Sequence, residues 1–523
     1  MPRKHEVPTL VDLALCSIGE FVTNYGKIII KPVRKIYRKN PDKAHTELQS
    51  MLKMMKCLLS SSIPWHLYDK MSVAIFNAIV NSVKETKSTY NDYALTTTFL
   101  SDLTVILHLV EVAVHSNLKT IEFPAWPKIM RHILYNKLET MVGLQVLDLG
   151  SGSAGWKTSD IEKVIINGVS AMPNLVCFIL CFDCTDNIIT ALAQNCKKLQ
   201  KLDATASRSV TDRSVVPLFA CRELKQLKLF RTSMTVPGFA DLFLEHTNIE
   251  DIGRCDEFGF ALELIQRKDI DVKTLFHIRT FESRNFSMTH MYLLVDTCPY
   301  ITSLCLLRDE EINDLTILST LSNLKELKLL SCDFYTHGIK RLLEIRGPTI
   351  TSLHLEHVDE IDLNALISIS QFCPDMKNLV FYNCEFIELA PDYPRKLPVP
   401  PFKLLQSIKC VAECANTHLE FLLSHCINVK FIQLGSSTDI GDATMRRILS
   451  QNPMSKLEEL KILYSHDLSM RTVRLLMQNC DNLRRLSELE GWEGITIGEL
   501  TAFREELRSS NTDLDTSPTL SFA

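Results

Sequence analysis

A short pattern, apolar-x-x-apolar-x-apolar, recurs along most of this 523-residue chain, and it restricts the possible folds more than any other feature. Clear copies are Leu144–Leu149, Leu175–Leu180, Leu224–Leu229, Ile301–Leu306, Leu324–Leu329, Ile350–Leu355, Met376–Phe381, Leu405–Cys410, Val429–Leu434 and Leu457–Ile462. Weaker copies start at Leu199, Ile249, Leu275 and Leu483. Most starts lie 23 to 29 residues apart. A unit of that size holds one short strand, a turn, a helix and a return loop. One such unit cannot bury its own apolar face, so the units must stack and share a core.

This period is that of leucine-rich repeats. The predicted fold class is α/β: a leucine-rich-repeat solenoid with a curved parallel sheet, helices on its convex side and an α-helical N-terminal region. A cysteine stands three residues before six of the copies, at Cys196, Cys221, Cys298, Cys373, Cys426 and Cys480. A short step ending in Asp follows several copies: Val210-Thr-Asp212, Ile312-Asn-Asp314 and Ile440-Gly-Asp442. Over roughly residues 140–500 the combination resembles the cysteine-containing leucine-rich-repeat family, well represented among the F-box substrate receptors of cullin-RING ubiquitin ligases. Each of the six cysteines is expected to be a small buried hydrophobe closing the helix before its strand.

Residues 1–140 lack the pattern and read as five helices (9–24, 42–60, 64–87, 93–117 and 127–140), with Asn40 or Asp42 capping the second and Pro41 at its start. The expected domains are therefore a helical cap or adaptor-binding region over 1–140, a solenoid over 141–500 and a disordered tail over 508–523. Pro391 to Pro401 reads as an extended surface excursion between repeats.

Composition narrows the function classes. A net charge of −5 and a pI near 6.3 do not suit a nucleic-acid binder, which usually shows a basic domain or stripe. Residues 1–56 are locally basic, with 11 Lys/Arg against 5 Asp/Glu, and are taken as the solvated face of an amphipathic helix. No membrane contact is expected, because the apolar run Leu103–Val114 carries His108 and Glu111 and is shorter than the ~20 residues of a spanning helix. With no secretory signal visible, the chain is expected to be cytoplasmic or nuclear, and its 17 cysteines free thiols. Phosphate-cradling loops and the common hydrolase and metalloprotease motifs are missing. Cys181-Phe-Asp-Cys184 has no second CxxC to complete a zinc site. The chain is accordingly expected to be no enzyme and to need no cofactor or metal; a cysteine-based redox or metal protein is the reading from another class.

The expected partners are proteins, bound by a monomer that acts within a complex. Alternation along each strand puts Lys228, Arg279, Lys328, His354, Lys409 and Lys461 on the concave sheet face, beside Phe230, Phe281, Leu330 and Tyr382. Aromatic residues among cations are typical of binding hot spots, and the expected target carries an acidic, partly apolar segment. For an adaptor there are two resemblances. Ile63-Pro64, with Leu67 and Met71 at helical spacing, is similar to the opening of an F-box, which implies a Skp-type adaptor and a cullin. Thr9-Leu10, with Leu13 and Cys16, looks like the elongin-binding box of SOCS- and VHL-box proteins, with Ala14 in the usual cysteine position. A non-ligase scaffold whose helices only cap the repeats is the alternative of the same class.

Overall fold

The computed structural model describes residues 4, 8–89, 97–151, 158–268, 274–307, 312–388, 402–437 and 440–519. The Pro391–Pro401 excursion lies outside them. The chain divides into two compact units, Val7–Gly253 and Arg254–Ala523, the latter including Met1–Glu6.

The first unit opens with helices α1 (Leu10–Tyr37), α2 (Pro41–Ser62), α3 (Tyr68–Thr89), α4 (Thr97–His108), α5 (Val110–Ala113) and α6 (Lys128–Tyr135). The Thr9 hydroxyl caps α1 through the Asp12 amide, and Asn40 caps α2 through the Lys43 amide, with Pro41 at its first turn. By length and composition α1 is long and apolar enough to cross a membrane. Here its Leu15, Val22, Ile29 and Val33 form a buried stripe, and Gly19 lets α3 approach: a Cβ there would lie 2.8 Å from the Ala74 carbonyl oxygen. Arg34 pairs with Asp102 of α4, and Lys27 with Glu85 of α3 at 3.1 Å. Lys31, Lys35, Arg38 and Lys39 are solvent-exposed.

The repeats of this unit form a parallel sheet in the order β1 (Thr120–Glu122), β2 (Val146–Ser151), β3 (Cys177–Cys181), β4 (Lys201–Asp203), β5 (Gln226–Lys228), β6 (Asp251–Arg254). The intervening helices are α7 (Thr158–Ser170), α8 (Asp186–Asn195), α9 (Val215–Leu218) and α10 (Val236–Glu245). The sheet therefore starts before residue 141. Leu118, Ile121 and Phe123 are a further copy of the pattern, all buried, and Ile121 stands in register with Leu147.

The second unit continues the scheme with α11 (Phe258–Lys268), β7 (Thr280–Ser283), α12 (Met288–Thr297), β8 (Ser303–Leu307), β9 (Glu326–Asp333), α13 (Ile339–Arg346), β10 (Ser352–Asp359), α14 (Leu363–Phe372) and β11 (Asn378–Glu385). It ends with β12 (Ser407–Glu413), α15 (Asn416–His425), β13 (Phe431–Leu434), α16 (Asp442–Gln451), β14 (Glu459–Ile462), β15 (Ser465–Ser469), α17 (Met470–Asn479), β16 (Arg485–Ser487), β17 (Trp492–Gly494) and α18 (Ile497–Ser509). Strands β7 to β14 and then β16 lie parallel in one sheet, and β15 pairs separately with β17.

What holds each sheet is a rung of inward side chains. Leu304, Leu327, Leu353, Leu379, Ile408, Ile432, Leu460 and Leu486 are register partners on successive strands, each at most 2% exposed. Leu147, Phe178, Leu202 and Leu227 are the equivalent partners in the first unit, each at most 3% exposed. Burying one such side chain contributes about 1.5–3 kcal/mol. The residue seven places after the repeat start turns left-handed in Phe182, Ala206, Arg231, Ser331, His357 and Asn383, with φ between 48° and 70°. The chain leaves the strand at the same point in each of these repeats.

The six cysteines all sit buried where a helix ends or the chain turns into the strand. Cys196 Sγ donates to the Met172 carbonyl of the preceding repeat at 3.4 Å. In the Ile249 repeat His246 takes this position, its Nε2 3.0 Å from the Leu218 carbonyl. Two of the three Asp steps, at Asp212 and Asp442, are latches between repeats, whereas Asp314 caps its own turn through the Thr316 amide. Asp442 accepts from the Ser469 amide (3.0 Å), the Ser469 hydroxyl (2.6 Å) and the Thr472 hydroxyl (2.6 Å); Asp212 takes Thr235 in the same way.

The end of the chain differs from expectation. α18 runs to Ser509, Leu514 is buried, and Asp515 bonds across to β16 through Leu486 N–H (2.9 Å) and Arg484 C=O (2.8 Å). Residues 508–519 are thus ordered, because a buried leucine and satisfied backbone outweigh the polar composition.

Burial alone would raise the Asp442 pKa, but its three donors outweigh burial and hold it below the usual carboxylate range. A depressed folded pKa means stability that is present above the unfolded value and lost as pH falls through the folded one. Asp442→Asn should therefore lower the unfolding free energy, read from urea denaturation at pH 7, by about 1–2 kcal/mol for the weakened charged hydrogen bonds. The gap from wild type should narrow as the pH drops below about 4.

Candidate functional site

On the sheet face away from the helices, the residues between the buried rungs point outward. In the first unit Lys228 is half-buried and pairs with Asp251 at 3.4 Å; Phe230 stays partly exposed with the Arg231 guanidinium 5.2 Å from its ring. In the second unit Lys328 pairs with Glu356 at 2.7 Å, and Lys461 with Glu488 at 3.5 Å. The expected basic ladder is therefore largely matched by carboxylates on adjacent strands. Lys409 lies over the Tyr382 ring at 5.8 Å, and this is the most open aromatic–cation pair of the predicted set.

His354 is neutral at physiological pH and does not belong to a cationic ladder. Burial first, then the nearby Lys328 charge, pull its pKa down to about 4. Its Nε2 lies 3.6 Å from Glu356. The Lys328–Glu356–His354 group and the Tyr382–Lys409 pair thus occupy neighbouring strands β9 to β12 on one face, with the thiol of Cys305 close enough to feel the Lys328 and Glu356 charges.

Two predicted face residues are core. Phe281 is 1% exposed and packs on Phe258 and Phe286 at 5.1 and 5.4 Å between ring centroids. Its rung partner is Leu304, so this repeat starts at Ile278 rather than Leu275, and the three-residue shift moves Phe281 from an outward to an inward position. Arg279 remains exposed, ahead of the strand, and Glu282 and Arg284 take the outward places. Leu330 holds an outward position but is 2% exposed, with Leu307 and Glu356 as its register partners on either side.

The adaptor candidates separate in the same way. Leu10 is 84% and Leu13 44% exposed on the first turn of α1, and Cys16 is exposed one turn on. Ile63 closes α2 and is half-buried, Pro64 is exposed, and Leu67 is half-buried. Met71 is 3% exposed and belongs to the core beneath α3, because helical spacing turns it inward with Ile75 and Ile79. The first turns of α1 and α3 line one groove through Asp12, Asp69 and Lys70, so the two predicted segments meet at one end of the helical layer. Several exposed apolar residues there were not picked out from sequence: Trp65, Met54, Leu58, and Phe21 and Ile28, which continue the Leu10 stripe along α1. A second polar group, also missed, surrounds Glu111. Burial would raise its pKa, but hydrogen bonds from His108, Lys137 and Gln49 bring it to about 2, and the cleft beside it, near 850 Å³, also takes in His45 and His132.

Among the described residues no group of His, Cys, Asp or Glu is arranged to hold a metal. Cys184 is buried, and its amide bonds Ser207. Burial pushes the thiols of Cys196, Cys298, Cys373, Cys426 and Cys480 up to about 12 and that of Cys221 to about 11.

Two stacks of strand–helix units on shared apolar rungs define an α/β leucine-rich-repeat fold. No family model matches the chain. Over 91 residues it is 32% identical to the F-box protein SKIP1 of Arabidopsis thaliana, a stretch of 17% of this chain and 30% of that protein. Among solved structures it is similar to a leucine-rich-repeat protein of Leptospira interrogans (TM-score 0.34, 16% identity, 77% of this chain and 95% of that one). It is also similar to a chain of the yeast Rad7–Elc1 complex (TM-score 0.33, 12% identity, 94% of this chain and 92% of that one).

Thiol chemistry checks the cysteine assignment. Under native conditions at neutral pH an aromatic disulfide reagent should modify Cys16 and Cys57, both exposed, within minutes. The six helix-end cysteines should react only as the chain unfolds. Rapid native modification of Cys298 or Cys426 would contradict their packing.

Proposed function

We propose that this chain is a non-catalytic recognition protein that serves as the substrate-binding subunit of a cullin-RING ubiquitin ligase, in the cytoplasm or nucleus. The sheet face holds the target, and the N-terminal helices dock a Skp-type or elongin adaptor that brings the cullin. Ubiquitin transfer belongs to the enzymes so recruited. The observation that carries the reading is the exposed apolar end of the helical layer, where Leu10, Leu13 and Trp65 stand in solvent although Leu15 and Met71 beside them are buried. Exposed apolar patches of this kind mark protein contacts. The partial similarity to an F-box protein supports it.

On the target side, the matched charges of Lys328 and Lys461 on the second unit favour a partner that reads a pattern of both signs over one with a simple acidic segment. The Tyr382–Lys409 pair is its aromatic anchor.

The test is affinity purification of the full chain and of a Leu10→Asp, Leu13→Asp double variant, with co-purifying proteins identified by mass spectrometry. An adaptor and a cullin should accompany the wild type and fall at least tenfold in the variant, while target proteins are retained. Equal recovery of all partners by both forms would make the helices a cap and the protein a scaffold.

A further inference from the structure

The two ends of the repeat series are closed differently. In the second unit, the last strand β16 is covered by the chain itself: the Leu486 amide donates to Asp515, and the Asp515 amide to Arg484. In the first unit, β1 pairs with β2 on one side, and among the described residues no strand lies on its other side. The Lys119 carbonyl accepts from Val146 of β2. By strand alternation the backbone groups of Thr120 and Glu122 face the outer edge. Both residues are exposed, whereas Val146 and Asp148 beside them are half-buried. An open edge of this kind is a template for another strand, and proteins normally cover it.

The edge forms one wall of a groove of about 1000 Å³, whose other wall is α1 and α3. Three further features describe an occupant. The floor is apolar, with Val73, Phe76 and Trp126. Five carboxylates line it, among them Asp12, Glu20 and Glu122, against the two ammonium groups of Lys27 and Lys70, a net charge of −3. Lys27 is moreover engaged with Glu85. Ser82, which also lines the groove, is 3% exposed, and its hydroxyl has no hydrogen-bond partner among the described residues. A buried hydroxyl left unpaired is destabilising, and a ligand group bonding to it removes that cost.

We propose that this groove, which Asp12 links to the Leu10–Leu13 end of α1, is a protein-binding site in addition to the repeat face and to that exposed end, and that it takes an extended segment of a partner protein as an added strand on β1. Backbone amides and carbonyls of the segment bond to Thr120 and Glu122. Its side chains alternate between the apolar floor and the carboxylate rim, so one or more on the rim side are Lys or Arg. The geometry limits the added ladder to the three residues of β1, so the apolar floor and the rim charges supply most of the selectivity.

The test selects a phage-displayed library of random heptapeptides against the full-length protein. The dissociation constant of the enriched peptide, made synthetically with a fluorescent label, is then measured for wild type and variants. The expected peptide alternates apolar and polar positions and carries Lys or Arg. Glu20→Lys and Glu122→Lys, both at exposed positions that leave the fold intact, should each weaken it at least tenfold. Thr120→Pro, which removes one outward amide, should do the same, while Thr120→Val retains binding. In hydrogen exchange the Thr120 and Glu122 amides should exchange fast in the free chain and slow on peptide addition. Enriched peptides without a basic residue, or with equal affinity for all variants, overturn the proposal. So do slow edge amides in the free chain, which would mean that the chain covers its own edge, and a concentration-dependent dimer lost in Thr120→Pro, which would make the occupant a second copy.

Discussion

The structure depends on the packing of one inward residue per strand against its equivalents on the next. From Leu304 to Leu486 these side chains form an unbroken rung, and neither a strand of three to eight residues nor its helix buries enough apolar surface without it. Because the rung fixes register, it also fixes which side chains point outward. The outward face is a consequence of the core, and a shift of one residue anywhere would exchange the two.

The polar latches and helix-end thiols follow from the same stacking. Each helix must end and turn into its strand in a space a few ångströms deep between neighbours. Cys196, Cys426 and Cys480 fit there because they are small, apolar and able to donate weakly to a carbonyl, and His246 shows that a larger group does the same work where room allows. Asp186, Asp212 and Asp442 tie the start of one helix to the hydroxyl and amide that begin the next. The carboxylate latches are local in space and 23 to 27 residues apart in sequence, which is why they recur with the repeat.

Much of this was legible in the sequence, since a period of 23 to 29 residues specifies rungs without any knowledge of three-dimensional contacts. Where legibility failed, the reason is specific. Leu275, Ile278 and Phe281 are all apolar at three-residue spacing, so the pattern fits two registers, and only the pairing of Phe281 with Leu304 decides between them. Leu118-Lys-Thr-Ile-Glu-Phe123 carries the pattern but lies in a region read as helical. The matched charges of Lys228 with Asp251 and Lys328 with Glu356 join residues 23 and 28 positions apart, and a column of single positions does not show its neighbours. At the N-terminal end Leu10 and Met71 have the same apolar character, and only the fold distinguishes the exposed one from the buried one.

The central claim is that register on shared rungs generates both the core and the recognition face, and hydrogen exchange resolved by mass spectrometry over the whole chain tests it most directly. The account predicts protection that peaks at every rung strand, recurs every 23 to 31 residues from Ile121 to Leu486, and includes Phe281 with the most protected set. Fast exchange at Phe281 with slow exchange shifted by three residues, or protection without the repeat period, would contradict it.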